Sequence, residues 1–144
     1  MSDILSKWGN AVASRGFTQI PNYLLRINMF VHEDHQLSTT ETLILIHLVA
    51  AWWKEDEMPF PSMRSLAEYS GISERQVQRA LKALEEKKYL VKTKKKIKTV
   101  ISSNVYDLTP TVKILKEVAE HFENIHPRKI KTKKGKKLYS PTDG

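Results

Sequence analysis

Guanidinium, amide and ammonium groups recur on one face of a predicted helix between Ser73 and Lys87. At about 100° of rotation per residue, they lie opposite an apolar stripe. The polar face contains Arg75, Gln78, Arg79 and Lys82 together with the acidic Glu86. The apolar stripe is Val77, Ala80, Leu81 and Leu84. Such polar groups donate hydrogen bonds, and one guanidinium can bond two acceptors in the same plane. The spacing therefore predicts recognition of an acceptor-rich, anionic partner without covalent chemistry.

The segment before this helix indicates how it is held. Ser62 is placed to cap a first helix, and Gly71 marks a tight turn. Ser73 then begins the second helix, with Gln76 at the spacing of a capping box. Two helices joined by a glycine turn predict a helix-turn-helix, which presents its second helix to the DNA major groove. An ordinary helical hairpin with a solvated outer face is the alternative that this stretch alone leaves open.

A predicted β-hairpin follows the second helix and favours the first interpretation. Residues 87–109 contain β-branched and aromatic runs on either side of a lysine-rich tip. Five lysines and no acid lie between Lys92 and Lys98. A basic hairpin directly after a recognition helix is typical of the wing of a winged helix.

The predicted DNA contacts follow from the geometry of each donor. Arg75 and Arg79 are candidates for base edges, because a guanidinium can bond guanine O6 and N7 together. Gln76 and Gln78 can pair with adenine or bond phosphate, although Gln76 has capping as an alternative role. Lys82 is predicted to contact the DNA backbone.

A second set of residues is predicted to contact phosphate groups. At the start of the first helix, free N–H groups and the helix dipole favour an anion, and the residues there are Ser62, Arg64 and Ser65. On the wing, lysines are predicted to contact phosphate or to lie along the minor groove. These are Lys94, Lys95, Lys96 and Lys98.

The net charge of +8 is unevenly distributed. The segments 92–98 and 128–137 carry twelve of the 24 cations, so the other 12 cations face all 16 acids. The body of the protein is thus mildly acidic and the basicity lies beside or after the predicted DNA-binding helix. A protein of this kind is expected to meet a polyanion, nucleic acid before membrane. A solubilising tail is the alternative for residues 128–137.

Composition bounds the class of protein. The chain has 144 residues and no cysteine, which excludes disulfide frameworks and zinc fingers. No apolar run approaches the roughly 20 residues of a membrane helix, and the first residues lack the pattern of a secretory signal. We expect a cytoplasmic, nucleoid-associated protein that does not contact membranes.

A strongly apolar helix is predicted at the centre of the core. Ser38 and Glu41 have the spacing of a capping box at its start. Trp52 and Trp53 are predicted to lie in the core or at its edge, and the acidic segment 54–58 is predicted to end the helix.

The two ends of the chain carry further helical patterns. Gly9 and Gly16 argue against one continuous helix in residues 1–20, and Pro21 is predicted to open a short helix through Phe30. Residues 31–36 have the composition of a polar linker. Pro110 is predicted to open a last helix that ends before Pro127. Its predicted stripe is Val112, Leu115, Val118, Ala119, Phe122 and Ile125. This helix can pack on its own domain or pair with a second copy, so a homodimer is possible.

The predicted fold is mainly α with a small β-hairpin: a winged helix-turn-helix with helical extensions at both ends. The predicted divisions are an N-terminal extension (1–36), the winged helix-turn-helix (37–109), a C-terminal helix (110–126) and a basic flexible tail (127–144).

Several stretches together resemble a family of bacterial and phage-type helix-turn-helix domain proteins. They are WGNAVASRGFTQIPNYLLR, MPFPSMRSLAEYSGISERQVQRALKALEEKKYL and SNVYDLTP, within residues 7–116. The resemblance implies a winged-helix DNA-binding domain in a transcriptional regulator. A more distant resemblance is to the N-terminal winged helices of plasmid and phage replication initiators. The sequence departs from the family pattern at Lys88, where glycine is usual. The helix end therefore lacks the residue that adopts a left-handed conformation most easily, which affects the expected angle of the wing and not the fold.

Other function classes receive less support. His32 and His35 are three residues apart, unlike the i, i+4 spacing of histidines on metal-binding helices, and no glycine loop or nucleophile motif is present. We therefore predict no enzyme activity, no cofactor and no metal. A protein-interaction winged helix is a third possibility, and no effector pocket is evident in the sequence. The predicted function is sequence-specific binding of double-stranded DNA by a small transcriptional regulator, with replication initiation as the alternative.

Overall fold

A computed structural model describes residues 2–97 and 100–122. In chain order the helices and strands are α1 (Ser2–Trp8), α2 (Asn10–Ala13), α3 (Asn22–Leu25), α4 (Thr39–Ala50), α5 (Met63–Ser70), α6 (Glu74–Glu86), β1 (Val91–Ile97), β2 (Val100–Asp107) and α7 (Thr109–His121). Two short 3₁₀ helices, Ile27–Met29 and Glu33–His35, lie between α3 and α4. Within the described ranges, no helix combines the length and the apolar character needed to cross a membrane.

Three serines begin the three central helices, as predicted. Ser38 and Ser73 each accept a hydrogen bond from the backbone N–H three residues on, and both capping boxes are complete. Ser62 accepts from the backbone N–H of Ser65 at 3.0 Å. Each cap satisfies donors that a helix N-terminus otherwise leaves without partners.

The core lies where α4, α5 and α6 meet. The predicted apolar stripe of α6 is buried in full, and its members are Val77, Ala80, Leu81 and Leu84. They pack in one cluster with Ile44, Leu45, Leu48 and Leu66 from the other two helices. Gly71 adopts φ 74° between α5 and α6, a left-handed conformation that glycine adopts without steric cost. These elements confirm the helix-turn-helix.

The antiparallel strands β1 and β2 form the predicted wing. Their register pairs Val91 with Asp107 and Lys94 with Asn104, and it shifts between Lys95 and Lys96. The backbone N–H of Tyr106 donates to the carbonyl of Pro59 at 2.9 Å, which ties β2 to the segment before α5. The architecture is a winged helix-turn-helix, mainly helical with one small sheet.

The end of α6 depends on Lys88, the position at which the sequence lacks the usual glycine. Lys88 adopts φ 69°, so this helix ends through a left-handed residue although glycine is absent. The N–H of Lys88 bonds the carbonyl of Glu85, and the N–H of Tyr89 bonds that of Leu84. This is the Schellman pattern. The fully buried Tyr89 and nearly buried Leu90 hold the chain in this path.

The region before α4 is less regular than predicted. The helix expected through Phe30 is divided, because Arg26 leaves helical geometry, and Pro21 occupies the capping position outside α3. Asn28 explains the path that follows, since its side chain bonds both the N–H and the carbonyl of Leu37 at 2.7 Å. The predicted polar linker also contains Val31, which is fully buried in the core.

The predicted stripe of the last helix is partly wrong. In α7 the buried residues are Thr111, Ile114 and Val118, followed by Phe122. Val112 and Leu115 are only half-buried, and Ile125 and Pro127 lie outside the described residues. The hydroxyl of Tyr23 donates to the carbonyl of Phe122 at 2.8 Å, so α7 packs against the N-terminal part of its own chain.

Trp53 also differs from expectation. The central helix ends at Ala50, before the two tryptophans and four residues before the acidic segment. Trp52 packs against the core, but 88% of Trp53 is exposed and its indole N–H donates to the carbonyl of Ala50. The predicted division into four regions stays a prediction, and its tail of residues 127–144 lies outside the described residues.

Candidate nucleic-acid interface

The outer face of α6 presents the predicted polar groups to solvent. Arg75, Gln78, Arg79 and Lys82 are all exposed. Within the part of the chain that the structure describes, none of the four side chains forms a hydrogen bond or an ion pair. These four exposed donor side chains have no partner within the described protein, so they are available to an external acceptor.

Gln76 differs from these four residues because its amide is already engaged. Its Oε1 atom accepts from the backbone N–H of Ser73 at 3.1 Å and from the Ser73 hydroxyl at 3.2 Å. The capping role predicted as the alternative is present. If both the oxygen and the nitrogen of the Gln76 side-chain amide bonded an adenine base, the helix would lose this part of its capping box.

The remaining donors spread over the face in a defined order. At about 100° per residue, Arg75, Arg79 and Lys82 lie near its middle and Gln78 lies to one side. Arg79 borders a shallow groove with Ser38 and Thr40 at the start of α4. Glu86 also falls near the middle of the face, one turn beyond Lys82. Arg75 and Arg79 thus lie in the N-terminal half of α6, which is the part that a recognition helix inserts into the major groove, and Lys82 lies beyond its middle.

The start of α5 combines a serine cap with an exposed arginine. The Ser62 hydroxyl donates to the Ser65 hydroxyl at 3.0 Å while it caps the helix. Arg64 forms an exposed ion pair with Glu68 at 3.4 Å, and such pairs add little stability. Arg64 can therefore exchange this partner for a phosphate at small cost, beside helix N–H groups that have no acceptor within the helix.

The wing is attached to α6 by a polar contact. The backbone N–H of Lys92 donates to a carboxylate oxygen of Glu85 at 3.1 Å. Lys94 is exposed on β1, and Lys95 and Lys96 follow it along the same strand. Lys98, the last predicted wing contact, lies outside the described residues. The contact places the base of the lysine-rich strand next to the recognition helix.

Residues 35–90 match the model of a family described as a helix-turn-helix domain. Residues 35–90 are similar to this family, and α5 and α6 within them form the helix-turn-helix. The match spans α4, α5 and α6 and stops where the wing begins. DNA binding is the general function that it supports.

Solved structures and curated proteins provide two further comparisons. A solved structure described as "N-Terminal domain of DNA binding protein" resembles the chain at 16% sequence identity, over 81% of this chain and 94% of that one. Its TM-score of 0.44 is too low for this resemblance to contribute to the assignment. No curated protein matches the chain.

The helix-turn-helix domain contains an ion pair that the sequence did not predict. Lys87, at the end of α6, donates to Glu41 at the start of α4 and to the carbonyl of Gln36 at 2.9 Å. Glu41 also completes the capping box of Ser38. The pair therefore fixes the C-terminal end of the recognition helix against the N-terminal end of the central helix. A lysine in a helix C-cap was the available signal, but its partner 46 residues away was not.

The ion pair of Glu41 and Lys87 forms a clamp between α4 and α6, and it affects the pKa of Glu41. Burial alone would raise the pKa of Glu41, but hydrogen bonds from Lys87 and Ser38 and the Lys87 charge hold it below its ordinary value. Nearby, burial and the charge of Glu41 raise the pKa of Tyr89. The Tyr89 hydroxyl donates to the carbonyl of His35 at 2.7 Å, so the residues after α6 are anchored to the start of the domain.

The histidines considered as metal ligands do not form a site. Within the described residues, no three His, Cys, Asp or Glu side chains are grouped to hold a metal ion. His32 is exposed and His35 is half-buried, with Nδ1 3.3 Å from the carbonyl of Lys87. His35 therefore contributes to the support of α6.

Proposed function

We propose that this protein binds specific sequences of double-stranded DNA through α6 and acts as a small transcriptional regulator. The observation that carries the proposal is the face of Arg75, Gln78, Arg79 and Lys82, exposed and without partners among the described residues. In a complex with DNA, base edges and phosphates would provide the hydrogen-bond acceptors that these side chains lack within the described protein. No catalytic step and no cofactor form part of the proposal.

The proposed roles divide the surface into base and backbone contacts. Arg75 and Arg79 contact base edges, and Gln78 lies beside them. The DNA backbone is contacted by a second group, which consists of Lys82, Ser62, Arg64, Ser65 and the wing lysines. Ser73 and Gln76 serve this interface by holding the first turn of α6. The clamp of Glu41 and Lys87 fixes the other end of the helix, so its angle in the groove is determined by the fold.

The test is selection of bound duplexes from a random DNA library at two salt concentrations. We expect a defined motif, and we expect Arg79→Ala to lose about 1–3 kcal/mol at one base position of that motif. Lys94→Ala should instead weaken all sequences alike and reduce the log–log salt slope by about 0.9. Lys116→Ala, at an exposed position of α7 outside the proposed interface, is the matched control.

The outcomes separate the alternatives. Equal losses of Arg79→Ala on cognate and scrambled DNA would reject its role at a base edge. Binding with a steep salt dependence but no motif would reject sequence-specific regulation. A palindromic motif would support the predicted homodimer. A motif found at replication origins in place of promoters would replace the regulator with an initiator.

A further inference from the structure

Two neighbouring elements contact opposite sides of α6. On one side, Gln76 and Ala80 share a shallow groove with Thr40 of α4. On the other side, which we call the wing side, a carboxylate oxygen of Glu85 accepts the backbone N–H of Lys92 at 3.1 Å. Glu85 follows Gln76 by nine residues, and at about 100° per residue the two lie on opposite sides of the helix. The exposed cationic face of α6 lies between these two sides.

Gln78 belongs to the wing side of α6. It precedes Glu85 by seven residues, so the two side chains lie nearly on one line of the helix, about 10.5 Å apart along its axis. Three residues at about 100° each also turn Gln78 about 60° away from Arg75, toward the wing. Gln78 is exposed, and its side chain forms no hydrogen bond within the part of the chain that the structure describes. Its amide therefore lies beside the cationic face and not at the middle of that face.

The size of α6 determines what its sides meet in a DNA complex. An α-helix with its side chains has a diameter of about 10–12 Å, and the major groove of B-DNA is about 12 Å wide. A helix that enters this groove therefore fills it. Its middle then faces the base edges, and its two sides face the two sugar–phosphate backbones. In this geometry the wing side of α6 meets one backbone.

Lys92 extends the wing side beyond the helix. Its side chain is exposed and forms no ion pair among the described residues. In the register of the wing it lies opposite Tyr106, which is buried in the core, and Glu85 binds its backbone N–H. These contacts fix the main chain of Lys92 beside α6. Sequence reasoning did not include Lys92 among the wing contacts, since its place beside α6 depends on the bond to Glu85.

We propose that Lys92 and Gln78 bind the DNA backbone along the wing side of α6, and that Gln78 does not read a base. This inference rests on the proposed function, because it requires α6 to enter the major groove. The Lys92 ammonium pairs with a phosphate, and the Gln78 amide donates to a phosphate oxygen further along the same DNA strand. Glu85 on this side repels a phosphate, and the Lys92 ammonium offsets that charge.

The first experiment measures the affinity of the full chain for the selected duplex and for a scrambled duplex across a range of salt concentrations. Lys92→Ala should weaken both complexes about eightfold at about 0.1 M salt and reduce the log–log slope by about 0.9, as the loss of one phosphate contact implies. Combining Lys92→Thr with Thr93→Lys keeps the net charge but moves the cation to the opposite face of the strand. This exchanged variant should stay about eightfold weaker. Lys116→Ala, at an exposed position of α7, is the matched control and should leave the affinity nearly unchanged.

The second experiment distinguishes a backbone contact from a base contact at Gln78. Gln78→Ala should weaken all duplexes about fivefold, as the loss of one hydrogen bond allows. It should leave the base preferences and the salt slope unchanged, since glutamine carries no charge. Methylphosphonate substitution then neutralises single phosphates of the duplex. The phosphates whose neutralisation weakens the unmodified protein but not Lys92→Ala should lie on the same strand as those that respond in this way to Gln78→Ala.

The outcomes separate a failure of this inference from a failure of the proposed function. No binding of duplex DNA by the unmodified protein would reject both. Binding with a defined motif, together with an unchanged affinity and salt slope in Lys92→Ala, would reject only the inference. Full affinity in the exchanged variant would show that net charge suffices and would overturn the contact at Lys92. A changed base preference in Gln78→Ala would overturn the assignment of Gln78 to the backbone.

Discussion

The N-terminal segment of residues 3–19 and the three-helix unit of residues 37–90 both carry large apolar side chains, but only the second buries them. In the N-terminal segment about half of the surface of Leu5, Trp8 and Val12 is exposed. In the three-helix unit Ile44, Leu66 and Leu84 are fully buried. Helix length alone does not explain the difference, since α1 has seven residues and the core helix α5 has eight. The helices α4, α5 and α6 pack against one another, whereas α1 packs mainly against the four-residue α2.

Short helices cannot align an apolar stripe over several turns. A helix of one or two turns receives little stability from its own hydrogen bonds and depends on packing. In α1 and α2 the contact between Trp8 and Phe17, with ring centroids 6.5 Å apart, is the main aromatic packing. The three-helix unit, in contrast, is braced by caps, a buried stripe and the pair of Glu41 and Lys87. It should therefore carry most of the free energy of unfolding.

The largest expected effect tests this difference directly. Leu84→Ala should lower the free energy of unfolding by about 2–5 kcal/mol, because it leaves a cavity at the centre of the core. Trp8→Ala removes a larger side chain but should cost much less, since half of Trp8 is exposed. Urea denaturation of both variants measures the two values. Comparable losses would mean that the N-terminal segment is an integral part of the core.

The clamp between α4 and α6 should have a smaller, pH-dependent effect. Glu41→Gln should lower the free energy of unfolding by about 1–3 kcal/mol at neutral pH, where a charged hydrogen-bonded group is lost. Because the folded pKa of Glu41 lies below its ordinary value, its contribution is present above the unfolded pKa of about 4.3 and is lost as the pH falls through the folded pKa. Denaturation curves of both proteins at several pH values should therefore converge in acid.

Glutamate 117 offers a control for the clamp experiment. It lies on α7, and no ion pair of Glu117 is found among the described residues. Glu117→Gln should change the free energy of unfolding little at neutral pH and at acidic pH. A constant difference between Glu41→Gln and the unmodified protein across the whole acid range would contradict the proposed ionic contribution.

The two regions also contain glycines with positive φ that differ in ψ, since Gly71 has ψ 22° and Gly9 has ψ 158°. Gly71 has φ 74° and Gly9 has φ 82°, and a Cβ atom at either position would meet no atom within 4 Å. Gly71→Ala should lower the free energy of unfolding by about 1–2 kcal/mol, because alanine disfavours the left-handed conformation of the turn between α5 and α6. Gly9→Ala creates at least as much local strain, because φ 82° and ψ 158° are rarely adopted by other residues. We nevertheless expect a smaller loss on global unfolding, because α1 and α2 contribute no side chain to the hydrophobic core. Equal losses would contradict this division.

The smallest expected effect is a gain. Lys88 adopts φ 69°, so glycine at this position should relieve strain and stabilise the protein. Lys88→Ala is the reference, because both substitutions remove the same side chain and only alanine keeps Cβ. Lys88→Gly should be more stable than Lys88→Ala by about 0.5–1 kcal/mol, after the greater flexibility of unfolded glycine is subtracted. Thermal unfolding of the pair measures the difference, and the reverse order would contradict strain at this residue.

Much of the helix-turn-helix could be predicted from the sequence because its signals are local. The caps at Ser38, Ser62 and Ser73 depend on atoms three residues apart, and the stripe from Val77 to Leu84 depends on the period of one helix. The exposed positions of Arg75 and Arg79 follow from the same period. Their contacts with DNA bases stay predictions.

Tertiary structure decided the features that depend on distant residues. Lys87 meets Glu41 across 46 residues, and the packing of Tyr89 fixes Lys88 in a conformation that its side chain disfavours. The periodicity of α7 allowed two neighbouring faces, and packing against Tyr23 and Phe30 selected the one that contains Ile114. Beyond the end of α4 at Ala50, Trp52 packs against the core and Trp53 is exposed. Local hydrogen-bond geometry is encoded in short sequence windows, whereas the choice of buried face depends on what the rest of the chain brings against it.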